Sequence, residues 1–165
     1  MIKLLSLFII SSLLLSNSWV QCDIENNLTI QFPSKPKFEK ILTDYRMYSC
    51  MNKNCSFSVD NDRYPKPVYP ESKAGQAKLF EQSINNFKAM GLYINSQRFV
   101  LGKINGIEIK SYFITPDKGN KLIQVERSFF INYRIYRIRC LYNNKIESVC
   151  EKDCKTFFSS LKFND

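Results

Sequence analysis

"KLIQVERSFFINYRIYRIRCLY", residues 121 to 142, alternates apolar and polar side chains on both sides of Asn132. Alternation marks a half-buried strand, because successive side chains leave a strand on opposite faces. The stretch predicts two antiparallel strands with a turn near Asn132. On the second of them Tyr136, Ile138, Cys140 and Tyr142 share one face, while Arg137 and Arg139 share the other. A lone strand pair is marginal in water, so this one demands neighbouring strands and a covering layer.

The neighbours lie upstream. "RFVLGKINGIEIKSYFIT", residues 98 to 115, has Asn105-Gly106 at its centre, a dipeptide that accepts the positive φ of a tight hairpin turn. "PDKGN", residues 116 to 120, supplies the next turn. "YRMYSC" and "CSFSV" flank "MNKN" and predict a hairpin over residues 45 to 59, with Cys50 and Cys55 facing each other at its end. "LTIQF", residues 28 to 32, reads as a first strand that breaks at Pro33 and Pro36.

The covering layer is helical. "SKAGQAKLFEQSINNFKAMG" sets Ala77, Phe80, Ile84 and Phe87 at spacings of three and four, with Ser72 as cap and Gly91 as stop, and predicts a helix over 72–90. In "ESVCEKDCKTFFSSLKF", Cys150, Cys154, Phe157 or Phe158, and Leu161 fall at helical spacing and predict a second helix. Pro65, Pro67 and Pro70 make the segment from 60 to 71 a connection. The expected fold class is α+β, one antiparallel meander of five to seven strands flanked by two helices, with no internal repeat and no second domain.

The chain begins with one basic residue, Lys3, followed by "LLSLFIISSLLL". That is a signal-peptide pattern, too short to remain as a membrane span. Ser16 and Ser18 suit cleavage after Ser18, and Val20 and Cys22 suit cleavage after Cys22, so the leader is 1–18 or extends to 22. The remainder, 19–165 on the first cut, is the size of one domain. Export to a periplasmic or extracellular setting follows, with no transmembrane helix in the mature chain. A lipid on Cys22 is disfavoured, because Trp19, Val20 and Gln21 do not form the small-residue approach that lipidation requires.

Cysteines in an exported chain favour disulfides over metal. Those at 22, 50, 55, 140, 150 and 154 include no Cys-x-x-Cys pair, and their spacings suit a four-thiolate zinc site poorly. Cys50 with Cys55 is the expected hairpin bridge, and Cys140 is expected to pin the second helix through Cys150 or Cys154. Cys150 and Cys154 stand too far apart within one helix to join each other. If Cys22 survives cleavage it is the partner of whichever helical cysteine is left over.

The chain contains no histidine, which removes the usual general base and excludes Ser-His-Asp and Cys-His nucleophile systems. No metal site and no cofactor are expected. Asp60 and Asp62 lack the glycine and closing glutamate of an EF-hand and suit turn chemistry better. Loss of Lys3 with the leader lowers the formal charge from +9 to +8, which favours anionic partners or serves solubility alone. Lys110, Arg137 and Arg139 are the candidate anion-binding residues, expected on one sheet face near Phe129 and Tyr133, although Glu108 and Glu126 interleave with them and offer cross-strand pairing instead. Nucleic acid is disfavoured, and the oligomeric state is open.

In their order, "FPSKP", "NGIEIKSYF", "ERSFFINYRIYRIR" and the terminal "FFSSLKF" resemble the small exported bacterial domains related to the PsbP and Mog1 superfamily, over residues 32 to 163. The resemblance implies an antiparallel sheet sandwiched by helices. It implies binding and assembly roles and carries no catalytic motif, so no site residue transfers from it. The chain departs from the pattern in its cysteines and its proline-rich segment. The expected function is therefore an exported, non-enzymatic binding or assembly accessory of the cell envelope, with an unknown protein or an anionic envelope component as partner. The alternative is a small secreted effector or hydrolase working on an anionic polymer through carboxylates or lysine.

Overall fold

In a computed structural model the described residues are 19–25, 28–114 and 121–163. The leader and the turn expected at 116–120 lie outside them.

Seven strands form one antiparallel sheet: β3 (Lys37–Lys40), β4 (Arg46–Met51), β5 (Cys55–Arg63), β6 (Tyr93–Leu101), β7 (Ile104–Ile114), β8 (Lys121–Ile131) and β9 (Arg134–Asn143), in the order β3-β4-β5-β9-β8-β7-β6. A second sheet, β1 (Val20–Ile24), β2 (Leu28–Phe32) and β10 (Lys162–Phe163), has the order β1-β2-β10. The expected "LTIQF" strand thus belongs to this small sheet rather than to the meander. Helix α1 spans Lys73–Ala89 and α2 spans Glu147–Ser159.

The decisive stretch behaves as its alternation requires. β8 and β9 meet at a two-residue turn, Asn132 and Tyr133, both with positive φ (47° and 62°). Tyr136, Ile138, Cys140 and Tyr142 are buried in the larger core, with Phe57 and Val59 of β5 and Phe157 and Phe158 of α2. The small sheet closes that core through Leu28, Ile30 and Phe32. The opposite face of the sheet carries a smaller cluster of Ile107, Ile109, Phe130 and Ile135 beneath Phe80 of α1. The molecule is thus layered, α1 on one side of the seven-stranded sheet and α2 with the small sheet on the other.

Helix α1 starts where Ser72 accepts a hydrogen bond from the Gly75 amide at 3.0 Å, and it ends at Gly91 with φ 68°. The hairpin expected at Asn105-Gly106 turns earlier. β6 and β7 meet at Gly102-Lys103, with Leu101 opposite Ile104, and Gly102 adopts φ 58°. Asn105 and Gly106 lie within β7, where a β-carbon on residue 106 would stand 2.4 Å from the Phe99 ring and 2.7 Å from the Ser128 carbonyl oxygen. The glycine at 106 makes room for a ring instead of making a turn.

The cysteines also correct the expectation. Cys55 bonds Cys150 with 6.1 Å between α-carbons, and Cys140 bonds Cys154 at 5.9 Å. Cys140 does pin the second helix, and Cys150 and Cys154 do not join each other. Cys50, however, lies opposite Phe57 rather than Cys55, because the β4–β5 register places Met51 opposite Ser56. Cys22 sits on β1 opposite Ile30. Both are free thiols packed at the edge of the larger core. Burial raises the pKa of each, with Asp23 adding to the effect at Cys22, and so keeps them protonated and poorly nucleophilic.

Candidate functional site

The three cations expected to share a face do not. Register places Lys110 opposite Val125, on the α2 side, and Arg137 and Arg139 opposite Ser128 and Glu126, on the α1 side. Phe129 faces away from the two arginines, stacked on Tyr136 in the larger core.

On the α1 side Asp60 is fully buried and receives Arg137 at 3.2 Å together with Arg139. Arg139 also donates its Nε to Glu126 at 2.7 Å, and the Ser128 hydroxyl donates to the same carboxylate at 2.7 Å. Burial works to lower the Arg139 pKa, but Glu126 and Asp60 outweigh it and leave it raised. Two carboxylates and two guanidiniums neutralise one another here. The cavity beside them, about 200 Å³ between α1 and the sheet, takes part of its lining from Glu126, Ser128 and Arg137, and each of those groups is already engaged.

The α2 side repeats the theme. Lys110 donates to Glu147 at 2.6 Å and lies 3.7 Å from Glu151. The hydrogen bond it donates to Glu147 is the main reason its pKa is raised. Arg127 donates to Glu108 at 2.7 Å while its guanidinium lies over the rings of Phe158 (4.6 Å) and Phe99 (5.3 Å). A cleft of about 360 Å³ opens beside these groups. Glu126 thus holds Arg139 in the cross-strand pairing expected to compete with an anion site, while Glu108 takes Arg127 instead of one of the three candidate cations and Lys110 pairs with Glu147 of α2.

A third concavity differs in its chemistry. Between α1 and the β6–β7 hairpin runs a groove of about 520 Å³, the scale of a small-molecule or peptide site. Its floor is Ala77, Phe80 and Ile84 of α1 with Ile107 of β7. Its rim carries Lys73, Arg98, Glu81, Gln76 and Asn105. Val100 is 68% exposed beside it. Lys73 and Arg98 enter no ion pair among the described residues. The groove thus joins an apolar floor to two cations that enter no ion pair, whereas the cleft on the α2 side holds one such cation, Lys155, among groups already paired.

Sequence reasoning did not point to this groove, since it picked cations by their place on the longest strands. A usable signal was present: β6 reads "YINSQRFVL", with Arg98 and Val100 alternating on the face that α1 only partly covers. Among the described residues no group of three or more His, Cys, Asp or Glu converges to hold a metal, and no helix is long and apolar enough to cross a membrane.

No family model matches the chain, and no curated protein matches it. Solved structures do match in fold. The solution structure of cyanobacterial PsbP (CyanoP) from Synechocystis sp. PCC 6803 superposes with a TM-score of 0.61 at 8% identity, over 86% of this chain and 89% of that one. The crystal structure of PA94 from Pseudomonas aeruginosa, a protein of unknown function, gives 0.58 at 8% identity, over 89% and 98%. The fold is PsbP-like, as the sequence motifs implied, and at this identity the likeness speaks to fold alone.

Proposed function

We propose that the chain is an exported accessory protein of the cell envelope that works by binding, and that the groove between α1 and the β6–β7 hairpin is where its partner sits. The observation that carries this reading is the division of charge. The buried acids at 60 and 126 are committed to guanidiniums, whereas Lys73 and Arg98 remain open beside an apolar floor. A general acid or base must be free to exchange a proton with a substrate, and a binding rim needs only uncommitted charge and apolar area.

Export is supported by the leader pattern and by two cysteine pairs at disulfide distance, which fit an oxidising compartment. Cleavage after Ser18 leaves β1 whole, while cleavage after Cys22 strips Val20, Gln21 and Cys22 from its pairing with β2. Cys22 packs against the larger core, a place unsuited to a lipid.

A photoreactive side chain at Val100 tests the site in the cell that makes the protein. The expected result is one discrete adduct from Val100 and none from the same group at Thr156, on the outer face of α2. Absence of an adduct at Val100, or equal labelling at both, contradicts the reading.

A further inference from the structure

The seven-stranded sheet has two open edges. At one, β3 is four residues long, follows Pro36, and carries Lys37, Glu39 and Lys40. Short length, proline and charge are the devices that stop another strand from adding. At the other, β6 runs nine residues without proline, and Arg98 is its one charge. A register shift between Tyr93 and Asn95 twists its start, and residues 96–101 continue in regular pairing with β7. Among the described residues no strand occupies its outer side.

The groove lies along this same edge. Ser96, Arg98 and Val100 share the α1 face of β6, in register with Ile109, Ile107 and Asn105, and α1 presents Phe80 and Ile84 across from them. An open strand beside a helix is the setting in which an extended peptide joins a sheet. Its main chain bonds the edge, and every second side chain drops between strand and helix. At roughly 3.3 Å per residue, the six regular positions of β6 accommodate a segment of about six residues.

Resting on the binding reading above, we propose that the occupant is an extended segment of another protein that adds to β6 as a further strand. Its alternate apolar side chains enter the groove, and an acidic group meets Lys73 and Arg98. Charge fixes the partner's sign, because Lys73 and Arg98 are uncommitted and Glu81 is the one acid on the rim. The full chain carries a formal +9, or +8 once Lys3 leaves with the leader, so an acidic segment is also steered towards it.

The test pans a phage library of linear octapeptides on the purified oxidised protein, then measures the Kd of a winning synthetic peptide and amide exchange along β6. Expected are winners with apolar residues at alternate positions and Asp or Glu among them. Every second β6 amide should exchange at least about tenfold more slowly in the complex, since a new strand bonds only the outward N–H groups. Val100→Lys, which copies the guard on β3, and Arg98→Glu should each weaken binding by about tenfold or more, equivalent to roughly 1.4 kcal/mol. Lys155→Glu on α2 should leave it unchanged. Peptide binding with unaltered β6 exchange overturns strand addition and leaves the binding reading intact. Protection of β6 that grows with protein concentration in the absence of peptide overturns it in favour of a second copy of the chain. Adducts at Val100 without any enriched peptide overturn it in favour of a non-peptide occupant, while silence at Val100 as well removes the reading beneath.

Discussion

The two helices are held to the same sheet by different means. In α2, 13 residues long, Cys150, Cys154, Phe157 and Phe158 are all buried and two of them are bonded to β5 and β9. Phe157 packs against Phe57 and Phe32 with ring centroids 5.1 and 5.2 Å apart. In α1, 17 residues long, Phe80 alone is buried, its ring 5.5 Å from Phe130. α2 has no capping side chain at its start, where Ile146 stands, while α1 has Ser72. One helix is fixed by sulfur and aromatic packing and dispenses with a cap. The other is held by its capped start, one buried ring and the half-buried Leu79, Ile84 and Phe87, and it leaves a groove. The less deeply buried helix is the one beside the groove that Lys73 and Arg98 line.

That contrast can be broken most severely through the bridges. The Cys55–Cys150 link joins residues 95 apart and the Cys140–Cys154 link residues 14 apart. Loop-closure entropy sets their losses at about 4.5 and about 3 kcal/mol. Denaturant titration of Cys55→Ala/Cys150→Ala and Cys140→Ala/Cys154→Ala should therefore rank the first as the more damaging. Equal or negligible losses would show that α2 does not depend on them.

Ring deletions come next. Phe157→Ala should cost about 4 kcal/mol and Phe80→Ala about 3, within the range for buried aromatics, and the difference should appear in the midpoint of chemical unfolding. Reversal of that order would make α1 the better anchored helix. Ser72→Ala should cost about 1 kcal/mol, because the Gly75 amide loses its acceptor, and the same assay reads it.

The smallest effect is alkaline. Glu147 raises the Lys110 pKa, so the ion pair contributes fully below the ordinary lysine value of 10.5 and is lost as pH climbs through the raised one. The pair is partly exposed, so Lys110→Met should remove no more than about 0.5 kcal/mol of pH-dependent stability above pH 10. The measurement belongs in a Cys22→Ser/Cys50→Ser background, where no thiol is free to exchange with the bridges. A loss of stability in the mutant equal to that of the parent would mean that the Lys110 pair contributes nothing.

Much of the fold could be read from local pattern. α1 shows in the spacing of Ala77, Phe80, Ile84 and Phe87 and in its two end signals, because helical period and caps are local physics. The β8–β9 pair shows in its alternation, and Asn132 and Tyr133 supply its turn without glycine. What escaped depends on register. Leu101 opposite Ile104 puts the β6–β7 turn at Gly102, and only the Phe99 ring above Gly106 explains why the stronger turn dipeptide went unused. The bridge from Cys55 runs to Cys150 because the α2 layer brings it there, and a hairpin viewed in isolation cannot show that layer. Lys110 parted from Arg137 and Arg139 for a related reason, since faces on different strands are matched only by pairing. The groove is a property of two elements together, a helix that covers its sheet incompletely and an edge strand whose guards are one arginine and a twist at its start.

Residue-resolved amide exchange on the oxidised protein tests this asymmetry most directly. The α2 amides of Cys150 to Phe158 should exchange only through global unfolding, while those of α1 and β6 exchange through smaller openings at lower free energy. Protection of α1 and β6 equal to that of α2 would contradict the account, and the groove would then be part of one uniformly rigid body.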